Sequence, residues 1–252
     1  MNALLLLGLA LGAILPAPAS AAPPGVIDYS TFQVYQRDRA LGTEVFQFES
    51  MGDSLRIFSH VVQVLPGPDS ALAIDKQVVL IVGSLDYDLR FYQSTLKTGG
   101  KDLTRGLVVN DTAFTSYRES SDRGGVGDRF LRPPGRLFVL DGQVFVLFDV
   151  MCRNLHGRSF GSRPLSVILL RDELDQVTDI TVTDLGTETI RWGARAVVAR
   201  KLRFSDSYAI FHAWVGPQGY MLRLEQPASG LRVEREPPAV KPAARRSPRS
   251  GG

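Results

Sequence analysis

The sequence predicts a mainly β protein, one long antiparallel sheet packed on a short helix. Three observations carry this. Runs of β-branched and aromatic residues alternate apolar with polar, the two-residue period of a half-buried strand. Gly, Pro, Asn and Asp cluster between the runs, where tight reversals belong. One stretch, from Asp141 to Leu155, switches to helical spacing.

The chain has 252 residues, 44% hydrophobic and 22% charged, enough to build a real core without disulfides. The formal net charge of +3 belongs to the end of the chain. From Pro237 onward stand Lys241, Arg245, Arg246 and Arg249 and no acid, which leaves the body near −1. That body lacks the excess positive charge of a nucleic-acid binder. The Pro-, Ala- and Arg-rich segment 237–252 reads as a disordered basic tail, whose charges are suited to an anionic membrane surface or an envelope protein.

Residues 1–22 read as a cleaved signal peptide. Met1 to Ala22 carries no charged side chain, Leu4 to Leu15 is apolar, and Ala19-Ser20-Ala21 is a small-x-small cleavage pattern. The apolar run is short of the ~20 residues that span a bilayer. No Cys lies near the cleavage point, so a periplasmic or secreted, unlipidated, monomeric product is expected, with residues 23–236 as its single domain.

The strands follow in order. Ser30 to Arg37, Thr43 to Ser50 and Ser54 to Leu65 read as an opening meander, with turns at Asp38–Gly42 and Met51–Asp53. After Pro66-Gly67-Pro68 come Lys76 to Val82, Tyr87 to Lys97, Leu103 to Val109 and Ala113 to Glu119, separated by turns at Gly99-Gly100 and Asn110-Asp111. Ser120 to Gly127 reads as a glycine-rich loop. Leu165 to Leu170, Val177 to Thr183, Thr187 to Leu202, Tyr208 to Val215 and Tyr220 to Gln226 close the chain, the last two as a hairpin through Gly216–Gly219. In the helical segment, Val144, Leu147, Phe148, Met151 and Leu155 share a face, with Asp141 as N-cap and Gly157 where a left-handed cap belongs; Val144 to Phe148 is also a β-prone run, so a strand is the alternative there.

Catalytic and metal motifs are weak. Gly157-Arg158-Ser159-Phe160-Gly161 matches a nucleophile elbow, and Asp179 or Asp206 with His212 would complete a triad. That chemistry needs a strand entering and a helix leaving the serine, and here the order is reversed. A serine hydrolase on Ser159 is therefore a minor alternative, and no catalytic residue is assigned. Cys152 and His156 lie four apart, but two ligands do not make a metal site, so neither metal nor cofactor is expected. A lone Cys152 reads as buried and inert. Asn110-Asp111-Thr112 is a glycosylation sequon that is better read as a turn.

The aromatic strand is the most informative feature. Tyr208, Ile210, His212 and Trp214 lie on one face, and Ala209, Phe211, Ala213 and Val215 on the other. Both faces are apolar, so both must be covered, by the sheet's own curl or by a ligand. Tyr87, Leu89 and Phe91, with Tyr92 opposite, repeat the pattern. Phe91, Tyr92, Tyr208, Phe211 and Trp214 are the candidate lining of a groove for a hydrophobic or lipid-like ligand. An envelope interaction module with a filled core is the competing expectation.

Short motifs carry a resemblance. Gly42 and Glu44 sit in LGTEVFQFES, Pro134 to Asp141 leads into the helix, Arg163-Pro164-Leu165 opens a strand, and Trp214 to Gly219 leads into Met221–Glu225. Over roughly residues 30 to 235 this pattern resembles a bacterial exported family of unknown function with the fold of the periplasmic lipoprotein carriers LolA and LolB. The resemblance implies a strongly curved, incomplete barrel whose concavity holds acyl chains. This chain has one clear helix where a carrier has several, and the family offers no catalytic residues to transfer.

Overall fold

The computed structural model describes residues 25–67, 71–121, 124–171 and 175–238. Tight turns pair each alternating run with its neighbour in sequence, the pairing that loses least chain entropy. β1 (Val26–Gln36), β2 (Arg39–Ser50), β3 (Ser54–Leu65), β4 (Leu72–Gly83), β5 (Leu89–Thr98), β6 (Lys101–Val109), β7 (Ala113–Ser120) and β8 (Gly124–Leu131) form one antiparallel meander. Next come β9 (Leu137–Asp141) and the helix α1 (Val146–Leu155). β10 (Ser162–Leu170), β11 (Gln176–Trp192), β12 (Arg195–Ser205), β13 (Ile210–Val215), β14 (Met221–Gln226) and β15 (Leu231–Arg235) make a second meander. β15 pairs with β1 and fuses the two into a fifteen-stranded sheet.

The connection between β8 and β9 explains the curvature. These strands are opposite edges of the sheet, yet only Arg132–Arg136 joins them. Such a linker reaches at most about 20 Å. Laid flat, fifteen strands would hold those edges about 65 Å apart. The sheet must therefore curl. It does not close, because no ladder joins β8 to β9, and the result is a mainly β, incomplete barrel around one helix.

The inside of the curl is the core. Phe32, Phe46, Phe48, Ile57, Leu80 and Leu107 point inward from the meander, and every residue of α1 is buried against them. β9 pairs with β10 in parallel, an exception to the antiparallel rule among the described strands, with α1 as the crossover laid on the concave face. A smaller cluster of Ile190, Ala199, Trp214 and Leu222, with Trp192 and Val197, lies on the outer face. There β11 and β12 run past the end of β13 and fold over its convex side, and Trp192 Nε1 donates to the Arg235 carbonyl at 2.7 Å. This hairpin covers the outer face of the aromatic strand only at Trp214; Tyr208 and Ile210 on the same face are exposed, so the expectation that both faces are covered holds for the end of the strand and not for its start.

Several expected boundaries move. Thr187 to Leu202 is not one strand: the chain reverses at Gly193-Ala194, where Gly193 has φ +59° and Trp192 pairs with Arg195. The second half of the expected glycine-rich loop, from Gly124 to Gly127, belongs to β8, whose residues pair with β7. β9 and β15 extend the expected set. The helix begins at Val146, so Asp141 is the last residue of β9 and not the N-cap. Gly157 does take the left-handed conformation, with φ +70°. The expected signal peptide and the tail residues Lys241, Arg245, Arg246 and Arg249 lie outside the described residues.

Candidate functional site

The site grows from the N-terminus of α1. Phe145, the residue before the helix, supplies no side-chain cap. Glu44 of β2 does the work from across the barrel. The Phe145 amide donates to its Oε2 at 2.7 Å, the Val146 amide to both oxygens at 3.2 Å, and Ser59 Oγ to Oε1 at 2.6 Å. The carboxylate thereby satisfies amides that would otherwise be orphaned in the core. Burial nonetheless dominates and raises Glu44 from 4.5 to about 7, against the hydrogen bonds from Ser59, Phe145 and Val146.

That shift has a sign. The folded state holds the Glu44 proton more tightly than the unfolded chain does. This group's contribution is therefore complete below pH 4.5 and is lost as pH rises toward 7. At about 1.4 kcal/mol per unit, the swing is on the order of 3 kcal/mol. Urea unfolding at pH 5 and pH 7.5 should show it, and Glu44→Gln should flatten the difference.

Asp141 closes the next layer. Its carboxylate accepts from Lys76 Nζ at 2.8 Å, Tyr92 Oη at 2.6 Å and Ser94 Oγ at 3.1 Å, and Lys76 also donates to the Gly142 carbonyl at 2.8 Å. These bonds pin the Asp141–Val144 turn to β4 and β5. Gln143 sits at its apex with φ +66°, a left-handed conformation uncommon for a side chain of this kind.

Beside this turn the barrel mouth stays open. A cavity of about 490 Å³ lies between the turn, the start of α1 and the ends of β2, β3, β10, β13 and β15. Its wall is apolar, with Leu41, Leu65, Val144, Phe148, Phe211 and Leu231. Its rim is polar, with Gln36, Gln143, Arg171, Asp206, Gln226 and Ser229. On the other side of the turn is a second cavity of about 590 Å³, walled by Leu72, Ile74, Leu96 and Leu103 with Lys76 and Arg105. Leu65, Leu170, Arg171 and the turn itself border both. Volumes of this size suit small-molecule ligands.

Of the expected lining residues, the first cavity brings together Tyr208 and Phe211. Tyr208 is exposed on the β12–β13 turn, where Arg171 stacks 5.3 Å from its ring. The other three lie elsewhere. Tyr92 is fully buried and spends its hydroxyl on Asp141. Phe91 is half-buried in register with Val108, which is exposed, so it faces the convex side. Trp214 belongs to the outer cluster beneath the β11–β12 hairpin. Pleating puts Phe91 and Tyr92 on opposite faces, and Phe211 and Trp214 likewise, so no single surface holds all five.

The remaining candidates are scattered. Ser159 is exposed in the α1–β10 loop, and its hydroxyl makes no hydrogen bond among the described residues. His212 lies on β13 beside Trp214, and partial burial followed by the nearby Lys201 lowers its pKa. Cys152 is buried, and burial pushes its thiol well above 9.0, away from thiolate chemistry. Asn110 accepts from the Thr112 and Ala113 amides at 3.1 and 2.8 Å, as a turn residue does. Among the described residues no group of His, Cys, Asp or Glu is arranged to hold a metal ion.

Fold and site together define an incomplete β-barrel filled by one helix, with cavities at its mouth. No family model matches the sequence, and no curated protein matches it. The structure is similar to that of a β-barrel-like protein of domain of unknown function DUF1849 from Brucella abortus. The TM-score is 0.54 at 9% identity, over 86% of this chain and 97% of that one. A DUF1089 family protein from Pseudomonas aeruginosa aligns with TM-score 0.46 at 10% identity, over 88% of this chain and 96% of that one. At such identity the first likeness is one of fold.

Proposed function

We propose that this is an exported binding protein that takes the apolar part of a lipid-like ligand into the mouth of its barrel. The carrying observation is the 490 Å³ cavity, apolar in its wall and polar at its rim. Most of the concavity is packed solid by α1, so the ligand space is this mouth and not the whole groove. Export rests on the apolar leader in residues 1–22, and the curved sheet is the shape expected from the resemblance to lipoprotein carriers.

Native mass spectrometry of the protein purified from an expression host is expected to show a bound lipid mass. The naphthylamine dye N-phenyl-1-naphthylamine is expected to brighten on binding. Ala209→Trp, which fills the cavity from its rim, should weaken the dye about tenfold. Absence of both lipid and dye binding in the unaltered protein would reject the reading.

One observation favours a second reading. β8 is an edge strand whose residues are exposed almost throughout, including Val126 and Leu131. An unprotected edge offers main-chain hydrogen bonds to an extended segment of an envelope partner. Val126→Pro would block that pairing and leave dye binding intact.

A further inference from the structure

Resting on the cavity reading, we infer that the ligand carries an uncharged acyl carbonyl, as an ester or amide, which accepts a hydrogen bond from Gln63. Gln63 lines the cavity, is 2% exposed, and its buried Nε2 donates to nothing. Its whole side chain makes no hydrogen bond among the described residues. A buried donor left without an acceptor is costly, and native proteins seldom keep one without use. The register explains its place. Gln63 pairs with Gly42 on β2, and Leu41 and Leu65 beside them are apolar wall. A hydrocarbon chain could fill that surface but would leave the donor unsatisfied.

Charge selects the neutral form. The next inward-facing residue along β2 is Glu44, already engaged with Ser59 and the helix amides. A carboxylate ligand at Gln63 would sit beside that acid. The ammonium of Lys76 is committed to Asp141 and the Gly142 carbonyl. The rim near β15 is uncharged as well: Gln36 Nε2 donates to the Ser229 carbonyl at 3.5 Å, and Ser229 Oγ donates to Gln226 Oε1 at 2.6 Å. Such a rim suits a polyol or peptide-like head. Arg171 and Asp206 both stand at the rim, where the Arg171 guanidinium lies over the Tyr208 ring and Asp206 accepts from the Tyr208 and Ala209 amides.

The test is displacement of N-phenyl-1-naphthylamine from the full chain by three ligands of one chain length. These are monolauroylglycerol, its ether analogue 1-O-dodecylglycerol, which lacks the carbonyl, and laurate at pH 8. The ester is expected to displace the dye about tenfold more tightly than the ether, and more tightly than laurate. Gln63→Leu is expected to erase the ester–ether difference, each displacement being read against that variant's own dye affinity. Equal displacement by ester and ether from the unaltered protein overturns the inference without needing a variant, and leaves the cavity reading standing. So does an ester preference that survives in Gln63→Leu, or tighter binding of laurate. If the dye does not bind the unaltered protein at all, the cavity reading falls and this inference falls with it.

Discussion

Arg153→Ala is expected to destabilise the fold by about 3–5 kcal/mol, the cost of breaking a buried ion network by removing one partner. Arg153 and Arg235 sit between Asp28 and Asp149, and the four side chains are at most 10% exposed. Arg153 Nε donates to Asp149 Oδ2 at 2.8 Å while its other arm binds Asp28. Arg235 reaches Asp28 at 2.5 Å and Asp149 at 3.5 Å. Asp149 Oδ1 also accepts from the Met221 amide at 2.6 Å, so the network ties α1 to β1, β14 and β15 at once. The guanidinium of Arg153 lies 3.8 Å from the Phe48 ring centre and 4.3 Å from that of Tyr220, adding packing that alanine also removes.

Two comparisons isolate the cause. Arg153→Lys should recover little, because one ammonium cannot reproduce a fork shared by two carboxylates. Arg200→Ala removes a pair with Asp184 at 2.7 Å that is about one-fifth exposed on each side, together with a hydrogen bond to the Leu155 carbonyl at 3.1 Å, and it should cost about 1–2 kcal/mol. Urea unfolding followed by tryptophan fluorescence would measure all three. A loss below that of Arg200→Ala would show that the network is not what anchors the helix.

Much of this architecture was legible in the sequence because a half-buried strand writes itself as alternation. β2, β3 and β4 follow the expected runs within a few residues, and so does the hairpin of β13 and β14. β9 was not legible for the opposite reason. Leu137 to Val139 are all buried, so the strand has no polar face to set a period. Without β9 there was no short link between the sheet's edges, and the curl rested on the two-sided apolar strands and on the resemblance. The aromatic strand was read as covered on both sides, but its apolar outer face is exposed at Tyr208 and Ile210 and buried only at Trp214. What covers Trp214 is the β11–β12 hairpin, and that depended on the reversal at Gly193.

The site's polar residues did leave a trace. Glu44 falls in phase with Phe46 and Phe48, and Gln63 in phase with Val61 and Leu65. A polar residue on the apolar phase of a strand is a buried group in need of a partner. For Glu44 that partner is a helix end 101 residues away, and sequence spacing says nothing about such a meeting. Aromatic content pointed instead to Phe91, Tyr92 and Trp214, which serve the core and the outer face.

Gly42→Ala is expected to cost about 3–5 kcal/mol, combining backbone strain with overpacking. Gly42 has φ +149°, a conformation that side-chain-bearing residues rarely adopt. A Cβ there would lie 2.0 Å from the Val62 carbonyl oxygen and 2.8 Å from the Gln63 Cα, both backbone atoms of β3 that cannot swing aside. Relief requires β2 and β3 to separate, and these strands carry Glu44 and Gln63 on the same inner face. The damage should therefore reach the site as well as the stability. Glu44 would lose its reach to the Phe145 amide, and the cavity wall at Leu41 and Gln63 would shift. Gly52→Ala is the control, because that turn glycine has φ +75° but nothing within 4 Å of the added carbon, so only backbone strain of about 1 kcal/mol is at stake. Hydrogen exchange should then show faster exchange at Phe145 and Val146 in Gly42→Ala but not in Gly52→Ala. Unchanged protection at those two amides would mean that the close approach of β2 to β3 does not hold the helix cap in place.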